Sequence, residues 1–152
     1  MSIVVFTDGG CAGNPGPGGW AYVLDAEGKR VTGSGGEPDS TNNRMELTAV
    51  TRALELVAST LAWRSQTVEI HTDSQYVQRG MTEWIIRWAA KGWKTAGKEP
   101  VKNQDLWKGL SALASALTVS WHWVKGHDGN ELNELCDSMV QEAIAAVKGG
   151  RR

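Results

Sequence analysis

The sequence predicts an α/β protein with a five-stranded mixed sheet flanked by helices. Two observations lead to this class. Three strand-like stretches at the start of the chain are separated only by short turns, which is the pattern of antiparallel neighbours. The last two strand-like stretches each follow a helical pattern, which favours parallel crossovers. Strands 1–3 are therefore expected to be antiparallel, and strands 4 and 5 parallel.

The N-terminal half contains the antiparallel part of the sheet and one long helix. Residues 2–8, "SIVVFTD", form a short β-branched run that glycines end, and residues 19–36 contain two strands around a turn at Glu27 and Gly28. Residues 40–63 give the clearest helix, beginning with a Ser–Thr pair of which either member can cap it. Its apolar stripe at helical spacing comprises Leu47, Val50, Leu54, Val57 and Leu61.

The C-terminal half alternates between strands and helices. "TVEIHTD" at 67–73 is a short strand, and 74–90 is helical with a break near its glycine. A loop leads to a helix that starts at Asn103, and "TVSWHWV" at 118–124 is the last strand. Residues 130–147 close the fold as a helix.

Length and composition are those of one ordinary domain. The 152 residues are 41% hydrophobic and 22% charged, no apolar run approaches the length of a membrane span, and no signal peptide precedes the first strand. We therefore expect one domain over residues 1–148, a flexible tail over 149–152, and a cytoplasmic monomer with no membrane association and no evident protein partner. Cys11 and Cys136 lie far apart and outside any CxxC motif, which argues against a disulfide framework or a zinc site.

The distribution of charge is more informative than its sum. The net charge of −1 by itself disfavours a nucleic-acid-binding protein. Between Arg87 and Lys102, however, five basic residues accompany one acid, Glu99. The eight tryptophans are many for this length, and four lie in or beside that segment: Trp84, Trp88, Trp93 and Trp107. We call residues 84–102 the basic stretch.

Two strands end in the same "TD" dipeptide. Asp8 follows "IVVF" and Asp73 follows "VEIH", while His127 follows the last strand within "KGHDG". If these strands run parallel, the three residues lie at one edge of the sheet, where open α/β sheets bind ligands. Aspartate is also a common strand-ending residue. Its repetition in one context favours a shared site.

Two further acids have competing interpretations. Glu46 lies beside the apolar stripe of the long helix, and the simpler interpretation is an early-turn acid that suits the helix dipole. Asp137 lies among apolar neighbours and needs a partner, unless it faces solvent with Asn133 and Gln141. If these acids join the two aspartates, they raise one another's pKa unless cations lie between them. Mg²⁺, which binds a few carboxylates together with phosphate oxygens, is the natural cation.

The glycine-rich loop after Asp8 differs from a nucleotide-binding loop. "GPGGWA" matches a loose G-x-G-x-x-A, but a strand follows it rather than a helix, and no GK[ST] occurs. We therefore expect Asp8 to hold a metal, and the metal to hold the phosphate.

Five stretches together resemble the bacterial ribonuclease HI branch of the type 1 ribonuclease H family. They are "FTDGGCAGNPGPGGWAYVL", "STNNRMEL", "IHTDSQYV", "GWKTAGKEPVKNQDLW" and "WHWVKGHDGNELNELCD", and they occur in order over about residues 3 to 147. The resemblance implies a ribonuclease H-like fold. It also implies an endonuclease that hydrolyses the RNA strand of RNA/DNA hybrids with two Mg²⁺ ions, for which Mn²⁺ can substitute, leaving 5′-phosphate and 3′-hydroxyl ends.

The resemblance assigns roles to five catalytic residues. It implies that Asp8, Glu46, Asp73 and Asp137 bind the metal ions, with Asp8 bridging both. It gives His127 a part in proton transfer or product release, and the alternative is a surface-loop histidine.

The resemblance also implies a substrate-binding surface. Its residues are Cys11, Asn14, Thr41, Asn42, Asn43, Gln75, Trp84, Trp93, Lys94 and Lys98. Short polar side chains would sense the 2′-hydroxyl in the minor groove, while Thr41 and the basic stretch would hold the DNA strand. The alternative is that Thr41 and its neighbours merely cap the helix. For Trp88 and Trp107 a place in the core is expected.

Several positions depart from the family pattern. Ala89, Ala90 and Asp39 stand where relatives often carry basic residues, and Asp128 adds an acid beside His127. We therefore expect weaker hybrid binding that is more easily lost with salt.

Three other functions compete with this interpretation. An integrase or Holliday-junction type of nuclease is disfavoured by "NNRMEL" and "TDSQ" together with the basic stretch. A non-catalytic hybrid-binding module would have no need of four clustered acids. A small-molecule or phosphotransfer domain is disfavoured by the three antiparallel strands and the missing nucleotide loop.

Overall fold

The elements follow the predicted order. The computed structural model describes residues 2–126 and 130–150. Its strands are β1 (Ser2–Cys11), β2 (Gly16–Ala26), β3 (Lys29–Ser40), β4 (Thr67–Thr72) and β5 (Thr118–Trp123). Its helices are α1 (Asn42–Ser59), α2 (Gln75–Arg79), α3 (Ile85–Ala90), α4 (Gln104–Ala116) and α5 (Glu131–Gly150), with a π-helical turn at Gly80–Trp84 between α2 and α3.

The strands form one sheet in the order β3-β2-β1-β4-β5. β2 is antiparallel to both β1 and β3, while β4 is parallel to both β1 and β5. The predicted mixed sheet is thus confirmed. Thr7 of β1 pairs with Thr72 of β4, which in turn pairs with Trp123 of β5. The carboxyl ends of these three parallel strands therefore lie side by side.

Helices cover the two faces of the sheet unequally. Val5 and Leu24 point to one face and pack with Leu47 of α1 and Trp107 of α4 in the main core. Phe6 and Val23 point to the other face, where Cys136 of α5 covers them. Among the described elements, α5 packs mainly on β1, β2 and β3. The same face of β4 and β5 is consequently left largely open.

The long helix is shorter than predicted. Thr41 caps α1, with its hydroxyl accepting a hydrogen bond from the Arg44 N–H at 3.2 Å. The helix ends at Ser59 because Thr60 adopts an extended conformation with φ −103° and ψ 110°. The prediction that the helix and its apolar stripe include Leu61 is wrong, since Leu61 lies beyond this end and is 75% exposed. The other four stripe residues are fully buried.

The predicted break near Gly80 is a π-helical turn rather than an interruption. A Cβ on Gly80 would lie 2.0 Å from the indole ring of Trp107. Glycine therefore allows the buried Trp107 ring to pack directly on the helix backbone. This widened turn passes directly into α3.

The last described helix, α5, runs to Gly150, two residues into the segment predicted as a flexible tail. Residues 151 and 152 lie outside the described part of the chain. Within the described residues, no helix combines the length and the apolar character needed to span a membrane.

Candidate active site

Three carboxylates meet at the carboxyl ends of β1 and β4. Asp8, Glu46 and Asp73 each offer one oxygen atom, and these oxygens lie within 4.8 Å of one another. Asp8 and Asp73 are neighbours because each directly follows one member of the Thr7–Thr72 pair in the parallel register. Glu46 reaches them from the second turn of α1. We call these three residues the acidic cluster.

Gly9 determines how closely Glu46 approaches Asp8. A Cβ on Gly9 would lie 2.4 Å from the carbonyl carbon of Met45 and 2.5 Å from the backbone nitrogen of Glu46. Only glycine therefore lets the start of α1 rest on β1 at this point. The Gly9 N–H also donates a hydrogen bond to Asp8 Oδ1 at 2.9 Å.

The backbone around Asp73 is fixed from two sides. The indole N–H of Trp123 in β5 donates to the Asp73 carbonyl oxygen at 3.1 Å. The Ser74 N–H donates to Thr72 Oγ1 at 3.0 Å, and the Ser74 hydroxyl caps α2 by accepting from the Val77 N–H at 3.1 Å. The turn from strand to helix thereby holds Asp73 at the end of β4.

Burial and mutual repulsion make the acidic cluster hard to ionise. Burial, then the charge of Asp73 and to a smaller extent that of Asp137, raise the pKa of Asp8 from 3.8 to about 7. Burial and the charges of Asp8 and Asp73 raise the pKa of Glu46 well above its ordinary value. Only 7% of Asp8 and 9% of Glu46 are exposed. A buried group of this kind needs a positive partner to stay charged.

Asp137 of α5 belongs to the same electrostatic environment. Both its charge and its hydrogen bonding act on the pKa of Asp8. The competing interpretation put Asp137 on a solvent-facing side with Asn133 and Gln141. Asn133 is only 3% exposed, whereas Gln141 is exposed and Asp137 itself is half-buried. Asp137 therefore borders the acidic cluster through its interaction with Asp8.

The donor atoms fit a hard divalent cation. All are carboxylate oxygens, the type of ligand that Mg²⁺ prefers. Glu46 Oε1 is buried and has no hydrogen-bond partner among the described residues. A buried oxygen without a partner destabilises the folded chain, because it has lost its hydrogen bonds to water. A cation bound by the acidic cluster would pair with this oxygen. His127, the remaining predicted catalytic residue, lies outside the described residues together with Asp128.

The predicted substrate-binding residues near the start of α1 are hydrogen-bonded to one another. The Asn14 side-chain oxygen accepts from the Asn42 N–H at 3.1 Å, and the Asn42 side-chain oxygen accepts from the Cys11 N–H at 2.8 Å. Thr41 caps the helix, as the simpler interpretation expected. Asn43 is exposed beside them, and Gln75 is exposed at the start of α2. These hydrogen bonds hold the Asn14 and Asn42 side chains at the start of α1, the helix that also carries Glu46.

The basic stretch combines an aromatic interior with exposed lysines. Trp107 is fully buried and Trp88 packs on the main core, which confirms the place predicted for both. Trp84 is half-buried and lines an apolar groove with Tyr76, Trp88, Pro100 and Val101. Trp93 is also half-buried, while Lys94 and Lys98 are exposed. The surface is therefore suited to a ligand with apolar faces and negative charges.

Sequence reasoning missed the residues that join α1 to the end of the basic stretch. The Arg44 guanidinium donates to both carboxylate oxygens of Asp105, at 3.1 and 2.9 Å, and to Asn103 Oδ1 at 3.2 Å. The Asn103 amide and the Trp107 indole both donate to the Tyr76 hydroxyl, at 3.1 and 3.0 Å. These partners are distant in sequence, so no local sequence pattern predicts their contacts.

Comparisons with known proteins agree on one family. The family model described as RNase H matches residues 1–145. A ribonuclease HI from Caulobacter vibrioides is 53% identical over 142 residues, which cover 93% of this chain and 92% of that protein.

Two solved structures share the fold. The crystal structure of LC9-RNase H1, described as a type 1 RNase H with the type 2 active-site motif, has a TM-score of 0.84 at 31% identity and covers 95% of this chain and 72% of that chain. The crystal structure of LC11-RNase H1 in complex with RNA/DNA hybrid has a TM-score of 0.74 at 26% identity and covers 96% and 99%. The likeness thus extends over nearly the whole chain in both sequence and fold.

Proposed function

Because the chain belongs to the ribonuclease H family of nucleases, we propose that it is an endoribonuclease of RNA/DNA hybrids. It hydrolyses the RNA strand and leaves 5′-phosphate and 3′-hydroxyl ends. The acidic cluster is the observation that carries the proposal, because buried carboxylates within 4.8 Å of one another are stable as anions only around cations. The complex of LC11-RNase H1 with an RNA/DNA hybrid supports the choice of substrate.

The four acids have distinct places in the proposed site. Asp8 lies within 4.8 Å of Glu46 and Asp73 and is also affected by the charge of Asp137, which supports the proposal that its carboxylate would bridge two ions. The family is divalent-metal dependent, and we propose Mg²⁺, with Mn²⁺ as a substitute. When bound by these carboxylates, two such ions would supply activation of the attacking water and stabilisation of the leaving 3′-oxygen. Glu46 would bind the ions from α1, Asp73 from the end of β4 and Asp137 from α5. His127, which follows β5 in sequence, moves the proton or helps release the product.

The polar residues around the start of α1 are proposed to read the hybrid. Asn14, Asn42, Asn43 and Gln75 present amides that can sense the 2′-hydroxyl and base edges across a wide minor groove. Cys11 lies on the same edge, at the end of β1. Thr41 holds a phosphate of the DNA strand, and its capping role keeps it in place.

The basic stretch is proposed to hold the DNA strand farther along the duplex. Lys94 and Lys98 neutralise phosphates, while Trp84 and Trp93 pack against sugars. Two acids oppose this attraction: Glu37 and Asp39 line a groove with Arg44 next to Thr41. We therefore propose that hybrid binding is weak and sensitive to salt. The exposed Ala89 and Ala90 add to this weakness because they supply no positive charge where relatives often carry basic residues.

We also propose that the enzyme acts as a monomer in the cytoplasm. Both described cysteines are unpaired, and Cys136 is buried. Unpaired cysteines are usual in a reducing compartment.

The test is cleavage of a labelled RNA strand annealed to DNA in the presence of Mg²⁺. Single-stranded RNA, duplex RNA and duplex DNA are run beside it, and the ends of the products are analysed. We expect cutting of the hybrid alone, with 5′-phosphate and 3′-hydroxyl ends, and loss of cutting with a chelator. Asp8→Asn is the matched control, since it keeps the size of the side chain while removing its charge.

Three results would contradict parts of the proposal. A folded protein that leaves the hybrid intact in both Mg²⁺ and Mn²⁺ would rule out the activity. Equal cutting of duplex DNA would instead favour a junction or integrase type of nuclease. Cutting that survives Asp8→Asn would exclude Asp8 as the bridging ligand.

A further inference from the structure

A second group of metal-ligating side chains lies on the face of the sheet that α5 leaves open. Glu69, His71 and His122 each offer one ligand atom, and these atoms lie within 4.8 Å of one another. Glu69 and His71 are two residues apart on β4 and therefore share a face. His122 on β5 is the register partner of His71. The grouping is thus produced by the parallel pairing of two strands.

Neighbouring side chains hold these three residues in place. Glu69 Oε1 lies 3.6 Å from His71 Nε2, while Glu69 Oε2 accepts a hydrogen bond from the Ser2 hydroxyl at 2.8 Å. Ser120 Oγ lies 3.0 Å from His122 Nε2. An outer partner orients a metal ligand when it bonds to the atom that the metal does not use. Ser2 fits this role because it leaves Glu69 Oε1 free, while the Ser120 contact leaves Nδ1 of His122 for the ion.

Ring stacking further restricts the two imidazoles. The His71 ring lies between the rings of Phe6 and His122, with centroid distances of 4.7 and 4.8 Å and interplanar angles of 14° on each side. Because Phe6 is packed under α5, the stack is anchored in the core. An imidazole binds a metal in the plane of its ring, so two nearly parallel stacked rings cannot both point at one ion. The His71 ring is therefore held in place by the stack, and the exposed His122 ring has to turn when the ion binds.

The donor set selects a class of metal. Two imidazole nitrogens and one carboxylate oxygen suit Zn²⁺ and related first-row dications, whereas Mg²⁺ prefers oxygen ligands alone. With bonds of about 2.1 Å, the ligands of a tetrahedral Zn²⁺ are roughly 3.4 Å apart. The Glu69–His71 separation of 3.6 Å is already close to that spacing. Three protein ligands leave the fourth position to water.

We propose that Glu69, His71 and His122 form a binding site for a first-row transition-metal dication, for which Zn²⁺ is the probe. The site is separate from the acidic cluster, and neither cysteine takes part in it. The bound ion ties the edge strand β5 to β4, so its binding stabilises the folded chain.

The test is thermal unfolding of the full chain with added Zn²⁺, carried out in excess Mg²⁺ so that the acidic cluster is already engaged. At a free Zn²⁺ concentration a hundredfold above its Kd, we expect the Tm to rise by about 5–10 °C. Co²⁺ should give the visible absorption of a tetrahedral ion in the same protein. Both responses should disappear in His71→Gln and in His122→Gln.

The chain offers matched controls. His127→Gln removes the one remaining histidine of the sequence and should retain both responses. Asp8→Asn disables the acidic cluster and should also retain them. His122 is exposed, so its substitution leaves the fold intact for the comparison.

Two outcomes would overturn the proposal. One is the absence of any Zn²⁺ or Co²⁺ response in the unaltered protein. The other is a response that survives both His71→Gln and His122→Gln but is lost in Asp8→Asn, which would assign the ion to the acidic cluster. Neither outcome bears on hybrid cleavage, so this site and the proposed function succeed or fail independently.

Discussion

Asp8 makes the stability of the metal-free protein depend on pH. Its pKa is raised from 3.8 to about 7 by burial and by neighbouring acids. Between these two values the folded chain keeps a proton that the unfolded chain releases, so stability falls as the pH rises through this range. The shift corresponds to roughly 4 kcal/mol for a group as buried as Asp8.

We therefore expect the Tm in a chelator to be lower at about pH 8 than at about pH 5.5. Asp8→Asn should raise the Tm at the higher pH and flatten the dependence, because it removes the charge that repels its neighbours. Thermal unfolding followed by circular dichroism measures both effects. Asp39→Asn, which removes an exposed carboxylate outside the cluster, is the control, and an equal effect of Asp39→Asn would contradict the explanation.

At the scale of single residues, some site residues can be predicted from the sequence and others cannot. Asp8 and Asp73 can be found because each follows a short apolar run that is recognisable from its own residues. The glycines after Asp8 do not end the strand as predicted, since β1 continues to Cys11. Arg44 cannot be paired with Asp105 in advance, because their contact depends on how α1 packs against α4. The grouping of His71 with His122 is hidden for a similar reason: it requires the register of β4 against β5.

At the scale of the elements, the contact between β1 and α1 at Gly9 leaves no space for a side chain. Gly9→Ala places a Cβ 2.4 Å from the backbone of Met45, so the start of α1 must move away and carry Glu46 with it. We expect a loss of about 1–3 kcal/mol in the free energy of unfolding. We also expect a roughly 100-fold loss of hybrid cleavage, since a displacement near 1 Å has that effect in active sites.

The adjacent glycine provides the comparison. A Cβ on Gly10 would meet its nearest neighbours only at 3.9 Å, which is ordinary van der Waals contact. Gly10→Ala should therefore retain most stability and activity in the same denaturation and cleavage assays. Equal losses in the two variants would mean that the close approach at Gly9 is unimportant.

The π-helical turn supports a second prediction at the scale of elements. Gly80→Ala directs a Cβ into the Trp107 ring at 2.0 Å, and overpacking of this kind costs about 1–3 kcal/mol. Gly109→Ala, in α4, meets no atom within 4 Å and should stabilise the helix by up to about 1 kcal/mol. Urea denaturation of both variants measures the contrast, and a stable Gly80→Ala protein would refute the steric argument.

The elements themselves are largely predictable, while their ends are less so. The order of strands and helices follows from apolar periodicity. The end of α1 does not, because Leu61 continues the pattern beyond the point where Thr60 leaves the helical conformation. The glycine in the second helical segment indicates a break, but only the position of Trp107 explains why it becomes a π turn.

At the scale of the whole molecule, the ribonuclease H-like fold expected from the resemblance is confirmed by the two solved structures. The sheet separates two electrostatic regions. The exposed lysines of the basic stretch follow β4 in sequence, whereas Lys29 begins β3 directly after the β2–β3 turn, at the end of the sheet opposite to Asp8. A polyanion bound across the acidic cluster would therefore meet Lys94 and Lys98 and not Lys29.

Hybrid binding should reflect this asymmetry. If Lys94 and Lys98 each neutralise one phosphate, each alanine substitution lowers the slope of log K against log salt by about 0.9. Lys29→Ala should leave the slope unchanged. Titrations at several salt concentrations, with Asp8→Asn as the background to prevent cleavage, provide the measurement. An unchanged slope in both Lys94→Ala and Lys98→Ala would place the DNA strand elsewhere.

The position of α5 after the other described elements has a consequence for biosynthesis. β1, α1 and β4 are translated before α5, which carries Asp137 and the apolar cover for Phe6 and Val23. A nascent chain that has not reached α5, or one cut off before it by a premature stop codon, lacks Asp137 and leaves part of the sheet exposed. We therefore expect cleavage activity to appear only after α5 has been translated.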